Sequence, residues 1–166
     1  MSTLNNRHPK FWVVCGMLIG LLFSVTACGS TKQELELALR STNRLNLTQS
    51  GQPAPVVVRI YTLRAKDRFE QATFQELWKH DYDFLGDDLL HRKEITLKPD
   101  NKHVHEFTSD REKEENYVGL MALFRKHQPG MWRTVIPIEE PGFFSFGTQD
   151  FHFRLDQNSI RQVEPN

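Results

Sequence analysis

Along "QELELALR", residues 33–40, Leu35, Leu37 and Leu39 alternate with Glu34, Glu36 and Ala38. That is the two-residue period of a strand with one buried face. "NLTQSGQPAP", residues 46–55, breaks the pattern with turn residues, because Gly51, Pro53 and Pro55 suit neither ladder. "VVVRIYTLRA", residues 56–65, is nearly continuous and β-branched, which predicts a strand central to its sheet. The period then lengthens: Phe74, Leu77, Trp78 and Leu85 recur at helical spacing, and Thr73 with Glu76 forms a capping-box pair. A short helix over 73–80, looser helical turns to residue 88, and packing of Phe74, Leu77 and Trp78 against the domain are expected.

Strands are predicted again over 89–97, 103–107, 117–125, 132–138 and 151–156, with a short piece at 160–163. Most follow one another without the helical crossovers a parallel sheet needs. The pattern therefore gives a mainly β chain, an antiparallel β-sandwich with a short helical insertion between early strands.

The first residues follow a different logic. Arg7, His8 and Lys10 precede thirteen uncharged residues, 11–23, too few for a membrane-spanning helix of about 20 residues and suited to the core of an export signal. Val25-Thr26-Ala27-Cys28 follows and resembles the lipobox of bacterial lipoproteins, in which the cysteine is acylated and the chain is cut before it. Three segments result: 1–27 as a removed signal peptide, 28–32 as a lipidated tether, and 33–166 as the folded domain. Cys15, the only other cysteine, would leave with the signal. Several acyl chains give stable attachment where one gives marginal binding. Gly29 stands where the inner-membrane retention signal has aspartate, so the outer membrane is the expected destination.

Charge narrows the function. With 21 basic and 21 acidic residues, the chain lacks the basic footprint of a nucleic-acid binder.

Read together, "LNLTQSGQPAPVVVRIYTLRAKDRFEQATFQELW" and "YVGLMALFRKHQPGMWRTVIPI" behind a lipobox resemble the TssJ/VasD family of type VI secretion lipoproteins. The pattern falls on Leu45-Asn46, residues 51–55, residues 56–63, residues 69–77, Phe124-Arg125 and Trp132-Arg133. The resemblance implies a transthyretin-like sandwich, no enzymatic activity and no cofactor. It also implies an outer-membrane anchor facing the periplasm and binding to the periplasmic domain of TssM within a TssJ-TssL-TssM envelope complex. The family assigns that contact to the loop between the first two strands. The residues point there too: ten residues exceed the 2–5 of an ordinary hairpin, and long loops are often functional. Leu47 is the expected apolar anchor, with Thr48, Gln49, Ser50 and Gln52 as its polar rim. Asn46 and Gly51 are expected to shape the turn. A sheet edge or the helical insertion is the alternative surface.

Other chemistry finds little support. His103 and His105 alternate onto one strand face, expected to be solvated, and lack the further ligands a metal site needs. Ser41, Ser50, Ser109, Ser145 and Ser159 lie in no GxSxG elbow. Asp87-Asp88 and Glu139-Glu140 are adjacent pairs that diverge on regular structure, and "DREKEEN", 110–116, reads as a charged surface turn. The alternative function, a periplasmic lipoprotein carrying a small ligand or lipid, draws on Phe143, Phe144, Phe146, Phe151 and Phe153. The simpler reading makes Phe151, Phe153 and Leu155 the inner face of a strand.

Overall fold

The computed structural model describes residues 32–139 and 147–164. Cys28, the expected signal, Glu140, Phe143, Phe144, Ser145 and Phe146 lie outside those residues. Eight strands are described: β1 (Lys32–Ser41), β2 (Val56–Leu63), β3 (Leu89–Leu97), β4 (Lys102–Asp110), β5 (Tyr117–Ala122), β6 (Arg133–Pro137), β7 (Gln149–Asp156) and β8 (Ser159–Val163). Between β2 and β3 lie three short helices, α1 (Asp67–Gln71), α2 (Phe74–Lys79) and α3 (Asp81–Leu85).

The strands make two four-stranded sheets, ordered β4-β1-β7-β8 and β3-β2-β5-β6. Every neighbouring pair is antiparallel except β1 and β7, which run parallel. This one parallel pair joins strands far apart in sequence, a juxtaposition that local periodicity does not encode.

In the first sheet the β1 leucines sit in register with inward residues on both sides: Leu37 lies opposite His105 and Phe151, and Leu39 opposite His103 and Phe153. In the second, Val58, Ile60 and Thr62 line up with Ala122, Leu120 and Val118. The apolar side chains of these rows meet in one continuous core that also includes Leu155 and Ile160. Apolar burial on this scale supplies the main drive to fold.

β2 is buried on both faces, which explains its nearly unbroken apolar run. Its second face, carrying Arg59, Tyr61 and Leu63, lies beneath the helices. Phe69 of α1 is fully buried against this sheet, and a Cβ on Gly119 would come 3.0 Å from its ring and 3.2 Å from Leu63. Only glycine admits the ring at that distance. Arg133 of β6 donates to the carbonyls of Phe69, Glu70 and Ala72, satisfying orphan acceptors at the end of α1.

The helices are also held by a polar knot. Asp81 Oδ2 accepts from Arg59 Nη1 at 3.2 Å, Tyr61 Oη at 3.1 Å and Arg92 Nη1 at 2.8 Å. Arg59 donates further to the carbonyls of Leu77 and Trp78 at 2.6 and 2.9 Å and to Glu94 at 2.7 Å. Burial first, and then the charge of Asp81, push the Tyr61 phenol well above its ordinary value, so it remains a neutral donor. The predicted capping box starts α2: Glu76 N donates to Thr73 Oγ1, and Thr73 N to Glu76 Oε2.

Several expectations change. Trp78 is 44% exposed, while Leu77 beside it is fully buried, because residues adjacent on a helix point about 100° apart. The segment 110–116 is not wholly solvated: Glu115 is buried, accepting from Asp110 N at 2.6 Å and lying 3.3 Å from His91 Nε2.

The two histidines do share a face, but it is the inner one, at the open margin between β3 and β4. There His105 is half-buried and its Nδ1 lies 3.5 Å from Lys93 Nζ. Burial first, then the charges of Lys93 and His103, hold the His105 imidazole below its usual value. A base depressed in the folded state binds its proton more readily when unfolded, so stability is present above about pH 6.5 and lost as pH falls below it. His105→Phe is therefore expected to reduce the fall in Tm between about pH 7.5 and about pH 5. Thermal melts at both values check this; an unchanged difference would place the acid sensitivity elsewhere.

Candidate partner-binding site

The connection from β1 to β2 does not close a hairpin, as the sequence suggested. Its two strands belong to different sheets, so the chain must cross from one layer to the other at the end of the sandwich. That crossing accounts for part of its length.

The base of the crossing is tied down. Thr42 N donates to Leu155 O at 3.0 Å, and Thr42 Oγ1 and Arg44 Nη2 hold the Asp156 carboxylate at 2.6 and 2.9 Å. The Thr42 hydrogen bond, and then the Arg44 charge, keep Asp156 below the usual carboxylate value against the cost of its burial. Leu45 is fully buried. Asn46 follows in the left-handed region with φ 47°, a conformation asparagine tolerates well. Its Nδ2 donates to Pro55 O at 2.7 Å, its Oδ1 accepts from Arg125 N at 2.9 Å, and its own N–H donates to Gln157 O at 2.7 Å. One side chain thus ties both ends of the loop to the β5–β6 connection. Asn46 and Gly51 shape the turn as expected.

Beyond Asn46 the loop closes on itself. Thr48 N donates to Gln52 O at 2.8 Å, Gly51 N to Thr48 O at 3.0 Å, and Gln52 N to Thr48 Oγ1 at 3.1 Å. Gly51 has φ 77°, and nothing lies within 4 Å of a Cβ placed there; backbone conformation alone calls for glycine. The five residues singled out by sequence come together at this tip. Gln49, Ser50 and Gln52 are exposed, and Leu47 and Thr48 are half-buried. Thr48 differs from the others because its hydroxyl accepts from the loop backbone, at Gln52 N, as well as meeting Ser50 Oγ at 3.0 Å. Its role in the geometry is to hold the tip.

A groove of about 510 Å³ runs beside the tip, lined by Leu47, Thr48, Gln49, Ser50, Arg125 and Lys126. No local pattern joins Arg125 and Lys126 to residues almost 80 positions earlier. Elsewhere, the Ser41 hydroxyl donates to Lys98 O at 2.6 Å and accepts from Asn101 N at 3.0 Å, pinning the β3–β4 turn. Among the described residues no three His, Cys, Asp or Glu side chains are grouped to hold a metal ion.

Residues 33–158 match the family model described as type VI secretion lipoprotein, VasD, EvfM, TssJ. The chain belongs to this family. Type VI secretion lipoproteins of known structure share its fold. TssJ1 from Pseudomonas aeruginosa, a T6SS lipoprotein, superposes with a TM-score of 0.71 at 25% identity, covering 81% of this chain and 98% of that one. Serratia marcescens Lip, a membrane-bound component of the type VI secretion system, gives 0.73 at 24% identity over 81% and 98%. A chain in the structure of the T6SS protein TssM C-terminal domain (869–1107) from EAEC gives 0.66 at 22% identity over 80% and 99%. No curated protein sequence matches. The short helices between strands and the paired sheets are therefore family features, and the type VI lipoprotein assignment rests on most of the folded domain.

Proposed function

We propose that this type VI secretion lipoprotein is the outer-membrane anchor of the secretion envelope complex. In this reading residues 1–27 are removed, Cys28 is acylated, and residues 28–32 tether a periplasm-facing domain to the outer membrane. The domain binds the periplasmic region of TssM, which with TssL completes the complex. It acts by holding rather than by catalysis.

The observation that carries this reading is the tip at Leu47, Thr48, Gln49, Ser50 and Gln52, exposed yet fixed by Asn46 and by its own backbone bonds. A loop ordered before binding loses less entropy when a partner fixes it. Leu47 supplies apolar area, and the exposed Gln49, Ser50 and Gln52 supply polar rim groups.

Two variants test the two ends of the bridge. Cys28→Ser is expected to leave a folded domain without palmitate label and without outer-membrane density in a sucrose gradient, since stable attachment needs its acyl chains. Replacing 47–52 by a Gly-Ser link is expected to keep most of the Tm, because Leu45 and Asn46 remain, and to abolish capture of the TssM periplasmic domain. Equal labelling in Cys28→Ser overturns the anchor; retained capture by the shortened loop moves the interface elsewhere.

A further inference from the structure

Arg125 and Lys126 form one wall of the groove beside the loop tip, and the facing wall carries Leu47, Thr48, Gln49 and Ser50. No carboxylate lines it. Arg44, at the base of the same loop, is neutralised by Asp156. Among the described residues Arg125 and Lys126 have no carboxylate partner, and both are exposed. In a chain with equal numbers of basic and acidic residues, this is a local positive excess beside neutral hydroxyls and amides.

The two cations are also held in place. The backbone N–H of Arg125 is bonded to Asn46 Oδ1 at 2.9 Å, Phe124 before it is buried, and the His127 ring after it stacks on Phe74 with centroids 3.9 Å apart. The segment is fixed on one side to the loop and on the other to α2. Its free side chains stand over the groove from a rigid base.

We infer that the groove receives an acidic, extended segment of the protein partner, with carboxylates on Arg125 and Lys126 and an apolar side chain on Leu47. This rests on the partner-binding reading of the loop and adds the chemistry of what binds. Arginine suits a bidentate carboxylate contact and lysine a single strong one. Solvent-exposed rim charges act chiefly by steering encounter, so they set the association rate and its salt dependence.

The test measures the TssM periplasmic domain of the same secretion system binding to the wild-type domain, to R125E/K126E, to R125K/K126R and to the shortened loop, at about 0.05 M and about 0.5 M salt. The inference expects the charge-reversed variant to bind about tenfold or more weakly at low salt, mainly through slower association, and to lose the salt dependence of the wild type. The charge-keeping R125K/K126R variant should stay close to wild type. Tm confirms that each variant is folded, and neither reversal touches the Asn46 bond, which uses the Arg125 backbone.

If R125E/K126E binds like wild type at both salts while the shortened loop fails, the inference is wrong and the loop reading stands. If both bind like wild type, both fall. If the reversal fails while the shortened loop binds fully, the cations act outside this groove and the inference is overturned. Vesicles containing phosphatidylglycerol give the remaining arm: retention of the wild-type domain but not of R125E/K126E, with unchanged TssM binding, assigns the cations to anionic lipid instead and overturns the inference.

Discussion

Asp81→Ala is expected to destabilise the domain by about 3–5 kcal/mol, the cost of removing one partner from a buried ion pair. The side chain is 5% exposed and satisfies Arg59, Arg92 and Tyr61 together. Its loss leaves a guanidinium that is only 10% exposed with fewer acceptors, and leaves the Tyr61 hydroxyl, on the buried face of β2, without the carboxylate. Arg59 keeps Glu94 and two helix carbonyls, which limits the damage to this range. For a domain of this size the change corresponds to a fall in Tm on the order of 10 °C. The helices should loosen before the sandwich, so near-ultraviolet circular dichroism and hydrogen exchange of residues 67–88 report the loss first. Asp81→Asn should be milder because its amide keeps one acceptor oxygen and nearly the same volume. A melt of Asp81→Ala within about 1 kcal/mol of wild type would show that the knot is not what holds the helices down.

The second large effect separates two tryptophans. Trp132 is 4% exposed, meets Phe74 edge-on at 5.2 Å between centroids, and its carbonyl accepts from Ala122 N at 2.8 Å. Removing such a side chain leaves a cavity, and Trp132→Ala is expected to cost about 3–5 kcal/mol. Trp78, at 44% exposure, keeps only a tilted contact with Phe74 at 6.1 Å and a cation contact from Lys79 at 5.3 Å. Trp78→Ala should cost about 1 kcal/mol or less, the scale of an exposed aromatic pair. Chemical denaturation of both variants checks the contrast. A larger loss for Trp78→Ala would place α2 in the opposite rotation on the sheet.

These two residues mark where the sequence stops being informative. Phe74, Leu77 and Trp78 satisfy a helical period equally well, but α2 has only six residues, and so short a window leaves its rotation open. The sheet settles it through Leu77, which is buried, and through Arg59, which binds the carbonyls of Leu77 and Trp78. Glu115 gives a similar lesson. Amid five neighbouring charges it reads as solvated, yet its carboxylate is turned inward to the Asp110 amide.

The β1–β2 loop was more legible than its surroundings. Its length, Asn46, Gly51 and the two prolines all announce a shaped, exposed connection, since each constrains the backbone locally. That it crosses between sheets was invisible, because a hairpin and a crossover of equal length use the same turn residues. Arg125 and Lys126 carried no local signal at all; their nearness to Leu47 follows from the side chain of Asn46 reaching Arg125 N.

From the sequence alone came the strands of alternating or continuous apolar residues, the capping box of α2, the apolar leader ahead of Cys28 and the resemblance to the type VI lipoproteins. All are properties of neighbouring residues, written in periods of two or 3.6 and in turn chemistry. Tertiary structure alone decided the parallel β1–β7 pair, the buried Asp81 knot, the inward His105, the outward Trp78 and the cationic wall beside the loop. Each joins groups from separate elements, and which groups meet depends on how the layers pack, a choice made by the summed burial of the core rather than by any one segment.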